Sequence, residues 1–170
     1  MKFGGTSVAN LSRIKNLQQL VKNKVLSGHK KIIVVVSAMS GVTNALVKQY
    51  KKIDSDINKP EYDVILSTGE QYSSALISTF LNKNGVNSRS ILGWQIPIIT
   101  DNKFSQARIQ RIDTEKILKL LKKFNVLVVA GFQGISSEGR ITTLGRGGSD
   151  TSAVAIAVAL KSKICETIKK

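Results

Sequence analysis

The chain has 170 residues, is 42% hydrophobic and 5% aromatic, and carries a formal net charge of +15. That size suits one compact domain with one ordinary core, and no run approaches the roughly 18 to 20 apolar residues of a membrane-spanning helix, so the expectation is a cytoplasmic protein with no membrane partner. Cys165 is the only cysteine and His29 the only histidine, which excludes an internal disulfide, a Cys/His metal cluster and a histidine-based catalytic triad. Chemistry is left to carboxylates, lysine, arginine, hydroxyls and backbone amides.

A strongly basic chain invites a nucleic-acid reading. The distribution argues against one: lysines such as Lys15, Lys22, Lys48, Lys119 and Lys161 are spread over most segments and alternate with apolar residues, and aromatic platforms for bases are scarce.

At the start, Lys2-Phe3-Gly4-Gly5-Thr6-Ser7 sets a cation beside two glycines and two hydroxyls, directly before a helix. Such a segment can cradle phosphate, or it is a strand-to-helix turn with a solvated lysine. Leu11, Ile14, Leu17, Val21 and Val25 then recur at helical spacing, and Gly28 stops the helix. The β-branched run from Ile32 to Val36 predicts a strand buried on both faces. Ser37 opens the loop after it, and Ser37 and Thr43 flank Ala38-Met39-Ser40-Gly41-Val42; in isolation each is a loop hydroxyl.

Helices are predicted around Asn44 to Lys51 and from about Asp63 to Leu81, ending before Gly85. Glu70 lies inside the second, and its segment alone suggests an exposed position. A strand at Ser88 to Leu92, a helix around Asp113 to Phe124 and a strand at Val126 to Ala130 follow, after which Gly131, Gly134 and Gly139 mark a loop or hairpin. In Thr142-Thr143-Leu144-Gly145-Arg146-Gly147-Gly148-Ser149-Asp150, three glycines allow close backbone approach and Arg146 offers a fork for a carboxylate or phosphate. Ser149 and Asp150 either cap the last helix or serve the site. That helix, about Ser149 to Lys161, is small and apolar nearly all round, so burial is expected. Trp94 and Cys165 read as packing residues.

The alternation predicts an α/β fold, a three-layer sandwich with a mainly parallel central sheet and helices on both faces. Ligands in such sheets sit beyond the carboxyl ends of the strands, which directs attention to the loops after Val36 and Ala130. Neither a Walker sequence nor a Rossmann glycine fingerprint is present.

Taken together, Lys2 to Val8, Val35-Val36-Ser37-Ala38-Met39 with Gly41-Val42-Thr43-Asn44, Ser67 to Glu70, Ala130-Gly131-Phe132-Gln133-Gly134 and Thr142 to Asp150 resemble the aspartate kinases of the amino-acid kinase family, in order and spacing. The resemblance implies ATP, with Mg2+, as co-substrate and transfer of the γ-phosphoryl group to the side-chain carboxylate of L-aspartate. The product would be 4-phospho-L-aspartate, which feeds lysine, threonine and methionine synthesis. It implies catalytic roles for Lys2 and Asp150, with Asp150 organising lysine rather than acting as nucleophile. Lys2, Phe3, Gly4 and Gly5 would meet the nucleotide phosphates; Ser37, Thr43, Glu70 and Arg146 would bind aspartate, Glu70 at its amino group and Arg146 at a carboxylate. No metal ligand is expected from the chain itself.

Two departures from the family pattern shape a further expectation. Met1 directly precedes Lys2, which cuts the first strand short. The ending Thr167-Ile168-Lys169-Lys170 does not resemble the strand and Thr-Asp loop that open the family's nucleotide-binding half, so neither that half nor the regulatory domains are expected. A truncated chain is expected, with the amino-acid site present, the ATP site broken and a sheet edge exposed, and with a homo-oligomer or a complementing chain as ways to cover it. Another amino-acid kinase, or a non-catalytic binding remnant, stands as the alternative.

Overall fold

The computed structural model describes residues 1–168. In chain order its elements are β1 (Lys2–Phe3), a 3-10 turn (Gly5–Val8), α1 (Leu11–Leu26), β2 (Ile32–Val36), α2 (Val42–Tyr50), α3 (Pro60–Lys83), β3 (Ser88–Ile91), β4 (Ile98–Thr100), β5 (Ile109–Ile112), α4 (Thr114–Leu121), β6 (Val126–Ala130), β7 (Gln133–Ser136), β8 (Ile141–Thr143), α5 (Gly148–Ala159) and β9 (Thr167–Ile168).

The continuous apolar runs of β2 and β6 pair with each other at the centre of a parallel sheet ordered β3-β6-β2-β1-β9. Both strands are covered on both sides, as their lack of polar alternation requires. On one face, Ile14, Leu17 and Val21 of α1 and Ile77 and Leu81 of α3 pack on Val34, Val36, Val126 and Val128. On the other, Ile117 and Leu121 of α4 and Ala153 and Ile156 of α5 pack on Val35, Leu127 and Val129. These are the three layers expected of the fold class.

α3 lies close to the sheet because its inner face is built from small residues, Ser67, Gly69, Ser73, Ser74 and Ser78 among them. Their hydroxyls do not go unsatisfied: Ser67, Ser73 and Ser74 each donate to a carbonyl of the preceding turn. Pro60 opens the helix, where its missing N–H costs nothing.

Four expectations are corrected. A second sheet, ordered β5-β4-β7-β8 and largely antiparallel, accompanies the parallel one; its strands of three or four residues are too short to show a period. α5 is not buried all round, since Val154 and Val158 are 55% and 71% exposed on the face turned from the sheet. Thr167–Ile168 is a strand, pairing in parallel with β1, with Lys2 N–H donating to Glu166 O at 2.7 Å; two residues carry no strand signal of their own and are ordered by the edge they meet. Lys169 and Lys170 lie outside the described residues. Finally, Trp94 and Cys165 do not pack in the core: Trp94 is 43% exposed and Cys165 is exposed. No helix among the described residues is long and apolar enough to cross a membrane.

Candidate active site

Strand alternation decides the first feature of the site. In β1 successive side chains point to opposite faces, so Phe3 enters the core under α1 and α3 while Lys2 turns toward α5. There Lys2 Nζ meets Asp150 Oδ1 at 2.9 Å; the lysine side chain is 9% exposed and the aspartate 55%. Asp150 is therefore not a helix cap. The cap position of α5 is Gly147, left-handed at φ 72°, with no side-chain hydrogen bond. α2 begins the same way at Gly41. Uncapped helix starts keep their positive ends open to an anion.

Glu70 corrects the reading of its own segment: it is 3% exposed. Its Oε1 accepts the Ala38 N–H at 2.9 Å, and Oε2 has no hydrogen-bond partner among the described residues. Loss of solvent is the main cause that pushes its pKa up to about 7, against a smaller opposing pull from the Ala38 amide. The loop that supplies this amide is packed directly on α3, because a Cβ on Gly69 would lie 2.8 Å from the Ala38 Cβ. Only glycine lets loop and helix meet closely enough for that bond.

These groups converge on one cleft of about 990 Å3, whose walls include Lys2, Gly5, Ser37, Thr43, Glu70, Arg146 and Asp150. It opens at the carboxyl ends of β1, β2 and β6, where the sheet architecture predicts a ligand. Arg146 is exposed and forms no ion pair among the described residues. Gly4 lies under the Lys2 ammonium, whereas the Phe3 side chain is withdrawn from the cleft into the core.

The arrangement therefore offers a buried, half-satisfied carboxylate for a cation, an unpaired guanidinium for an anion, and a lysine held by an aspartate beside two helix starts. Chemically, such an arrangement can pair with a cation and an anion side by side. Residues 1–170 match the amino acid kinase family throughout. The chain belongs to that family.

Among its relatives in the family, the aspartokinase of Rickettsia felis is 46% identical over 168 residues, which are 97% of this chain and 42% of that protein. The aspartate kinase of Pseudomonas fluorescens is 50% identical over 168 residues, 97% of this chain and 40% of its own length. The chain thus spans about two fifths of the curated relatives it matches. The crystal structure of aspartate kinase from Synechocystis superposes with a TM-score of 0.82 at 44% identity, covering 99% of this chain and 28% of that one. Aspartokinase III of E. coli, in complex with aspartate and ADP, gives a TM-score of 0.82 at 26% identity over 98% of this chain and 47% of its own.

For this member of the amino acid kinase family, three cleft features have no role in the sequence reading, although Phe132 lies inside one of its motifs. Ser105 and Gln106 enter the wall from the β4–β5 connection, a segment with no motif to mark it. Phe132 also lines the cleft in a left-handed conformation, φ 68°, that a bulky residue rarely adopts. Asp63, which reads in sequence as the start of a helix, is 0% exposed and bonds to the wall itself. An acid at a helix start looks like a partner of the helix dipole, which hides its other role.

Proposed function

We propose that this chain binds L-aspartate and positions it for phosphorylation on its side-chain carboxylate by ATP, giving 4-phospho-L-aspartate and ADP. The observation that carries the reading is the convergence of Glu70, Arg146, Lys2 and Asp150 on one cleft. The buried Glu70 Oε2 suits an α-ammonium, which would supply its missing partner and its counter-charge at once. Arg146 suits a carboxylate, in the bidentate manner of a guanidinium, and the hydroxyls of Ser37 and Thr43 suit the remaining substrate oxygens.

In the transfer step an oxygen of the substrate's side-chain carboxylate attacks the γ-phosphorus. The bond from γ-phosphorus to the bridging oxygen breaks, and its electron pair leaves with ADP. A carboxylate is ionised at neutral pH, so no general base is required, which suits a cleft without histidine. Lys2, held toward the cleft by Asp150, offsets charge on the moving phosphoryl group, and the backbone at Gly4 and Gly5 lets the phosphates approach. Among the described residues no group of three or more His, Cys, Asp and Glu side chains could hold a metal. Magnesium would arrive on ATP, with its ligands mainly from phosphate and water.

The test is isothermal titration of the purified chain with L-aspartate and, separately, with magnesium-ATP, using Arg146→Ala as control. Aspartate binding that the substitution weakens at least about tenfold is expected. A folded sample that binds no aspartate overturns the reading. The ATP arm, followed by hydroxylamine trapping of acyl phosphate, reads whether these residues also suffice for phosphoryl transfer.

A further inference from the structure

Asp63 stands two turns before Glu70 on the same face of α3. It is completely buried, yet among the described residues no cation pairs with it. Its charge is met by neutral donors alone. The Ser105 N–H donates to both carboxylate oxygens, at 2.9 and 3.0 Å, the Thr143 N–H to Oδ2 at 2.7 Å, and the Thr143 hydroxyl to Oδ1 at 2.8 Å.

The two segments so joined are distant in sequence and adjacent in the cleft. Ser105 is held left-handed, φ 64°, in the connection between β4 and β5. Thr143 is the last residue of β8, and Leu144-Gly145-Arg146 follows it at once. The joint is reinforced on both sides: Ala107 N–H donates to Thr143 O at 2.9 Å, and Gly145 packs on the Ser105 carbonyl, where a Cβ would come to 3.2 Å. Ser105, Thr143, Gly145 and Arg146 all face the cleft. Asp63 thus holds the root of the Arg146 loop to the helix that carries Glu70.

We propose that Asp63 is a positioning residue that sets the spacing between the ammonium-binding Glu70 and the carboxylate-binding Arg146. The proposal rests on the aspartate reading of the cleft and adds to it the element that makes the two ends of the site a fixed pair. An uncompensated buried carboxylate is a costly way to join two loops, and its worth lies in rigidity. Ionised, it can only accept, so it fixes the direction of all three donors. An asparagine of the same shape would turn a donor toward one of the two amides and force the loop away. Displacements near an ångström at a binding group can cost up to about a hundredfold.

The experiment is a double-mutant cycle on L-aspartate affinity with Asp63→Asn and Arg146→Ala, alongside hydrogen exchange of the Leu144, Gly145 and Arg146 amides in the folded proteins. Thr143→Val removes one donor to Asp63 without touching the charge, and serves if the asparagine variant fails to fold. Expected results are a loss of at least about tenfold for Asp63→Asn, a smaller loss for Thr143→Val, and little further loss once Arg146 is gone, because coupled residues are not additive. Faster exchange across the three amides should accompany it. Wild-type affinity in either folded variant, or losses that simply add, overturns the proposal. If the wild-type chain binds no aspartate, the aspartate reading fails separately. The amides then decide: unchanged exchange overturns the positioning role, and accelerated exchange confined to that loop supports it.

Discussion

Two carboxylates on one helix face, both withdrawn from solvent, are treated in opposite ways. Asp63 has every oxygen occupied by donors from two different loops. Glu70 has one oxygen on the Ala38 amide and the other with no partner among the described residues. For both, burial raises the pKa and hydrogen bonds oppose it. The difference lies in what each lacks. A saturated buried carboxylate has no capacity left for a ligand and can only hold the protein together, whereas a half-saturated one facing a cleft is stabilised by binding.

Removing the saturated group should produce the largest effect. Asp63→Ala strands two amides and a hydroxyl, and we expect a loss of about 3 to 4 kcal/mol, seen as a lower urea midpoint at unchanged slope. Glu70→Gln should not destabilise the fold in this way; an equal loss there would erase the contrast.

The second effect is in pH. The folded-state pKa of Glu70 lies above its ordinary value, from 4.5 to about 7, so the folded protein holds an extra proton between those limits. Glu70's contribution is fully favourable below about pH 4.5, falls as pH rises through about 7, and is constant above. Relative to Glu70→Gln, the wild-type chain should lose about 3 kcal/mol across that window. Aspartate affinity should run the other way, rising with pH to about 7, because an ammonium partner favours the ionised form. Urea titrations and calorimetry at pH 5, 6, 7 and 8 measure both. A flat difference between wild type and variant would show that Glu70 reaches solvent or a cation.

Third, Gly69→Ala drives a methyl group into Ala38 and against Val42. The expected loss is about 2 kcal/mol by thermal or urea unfolding, with weakened aspartate binding because the Ala38 amide is pushed off Glu70. The smallest effect belongs to the exposed end of the site. Asp150 is half in solvent beside Lys2, so Asp150→Asn should change stability by about 1 kcal/mol or less, although the proposed reaction would lose the lysine's orientation. A large stability loss there would make the ion pair structural.

How much of this could be read beforehand differs by element. β2 and β6 were legible from end to end because a strand covered on both faces needs an unbroken apolar run. α1 was equally legible, from Leu11 to its stop near Gly28, because one apolar stripe at helical spacing specifies one buried face. β4, β5 and β9 were not, being two to four residues long and formed only against neighbours brought from elsewhere. In the cleft, the residues within motifs, Lys2, Ser37, Thr43, Glu70, Arg146 and Asp150, were all named in advance and line it together. Ser105 and Asp63 were not, since neither belongs to a motif and their contacts span 42 residues of chain.

The sequence by itself determined the sandwich of helices on a parallel sheet, the loops that wall the cleft, and the family. Periodicity, glycine placement and motif spacing are local properties, and they survive in a linear reading. Only the tertiary structure decided which polar groups lose water and which of them find partners. Glu70 looks solvent-exposed in its helix and is buried by the Ala38 loop; Asp63 looks like a helix start and is saturated by two remote segments. Charge, proton affinity and readiness to bind depend on surroundings assembled from distant parts of the chain, which no single stretch of it contains.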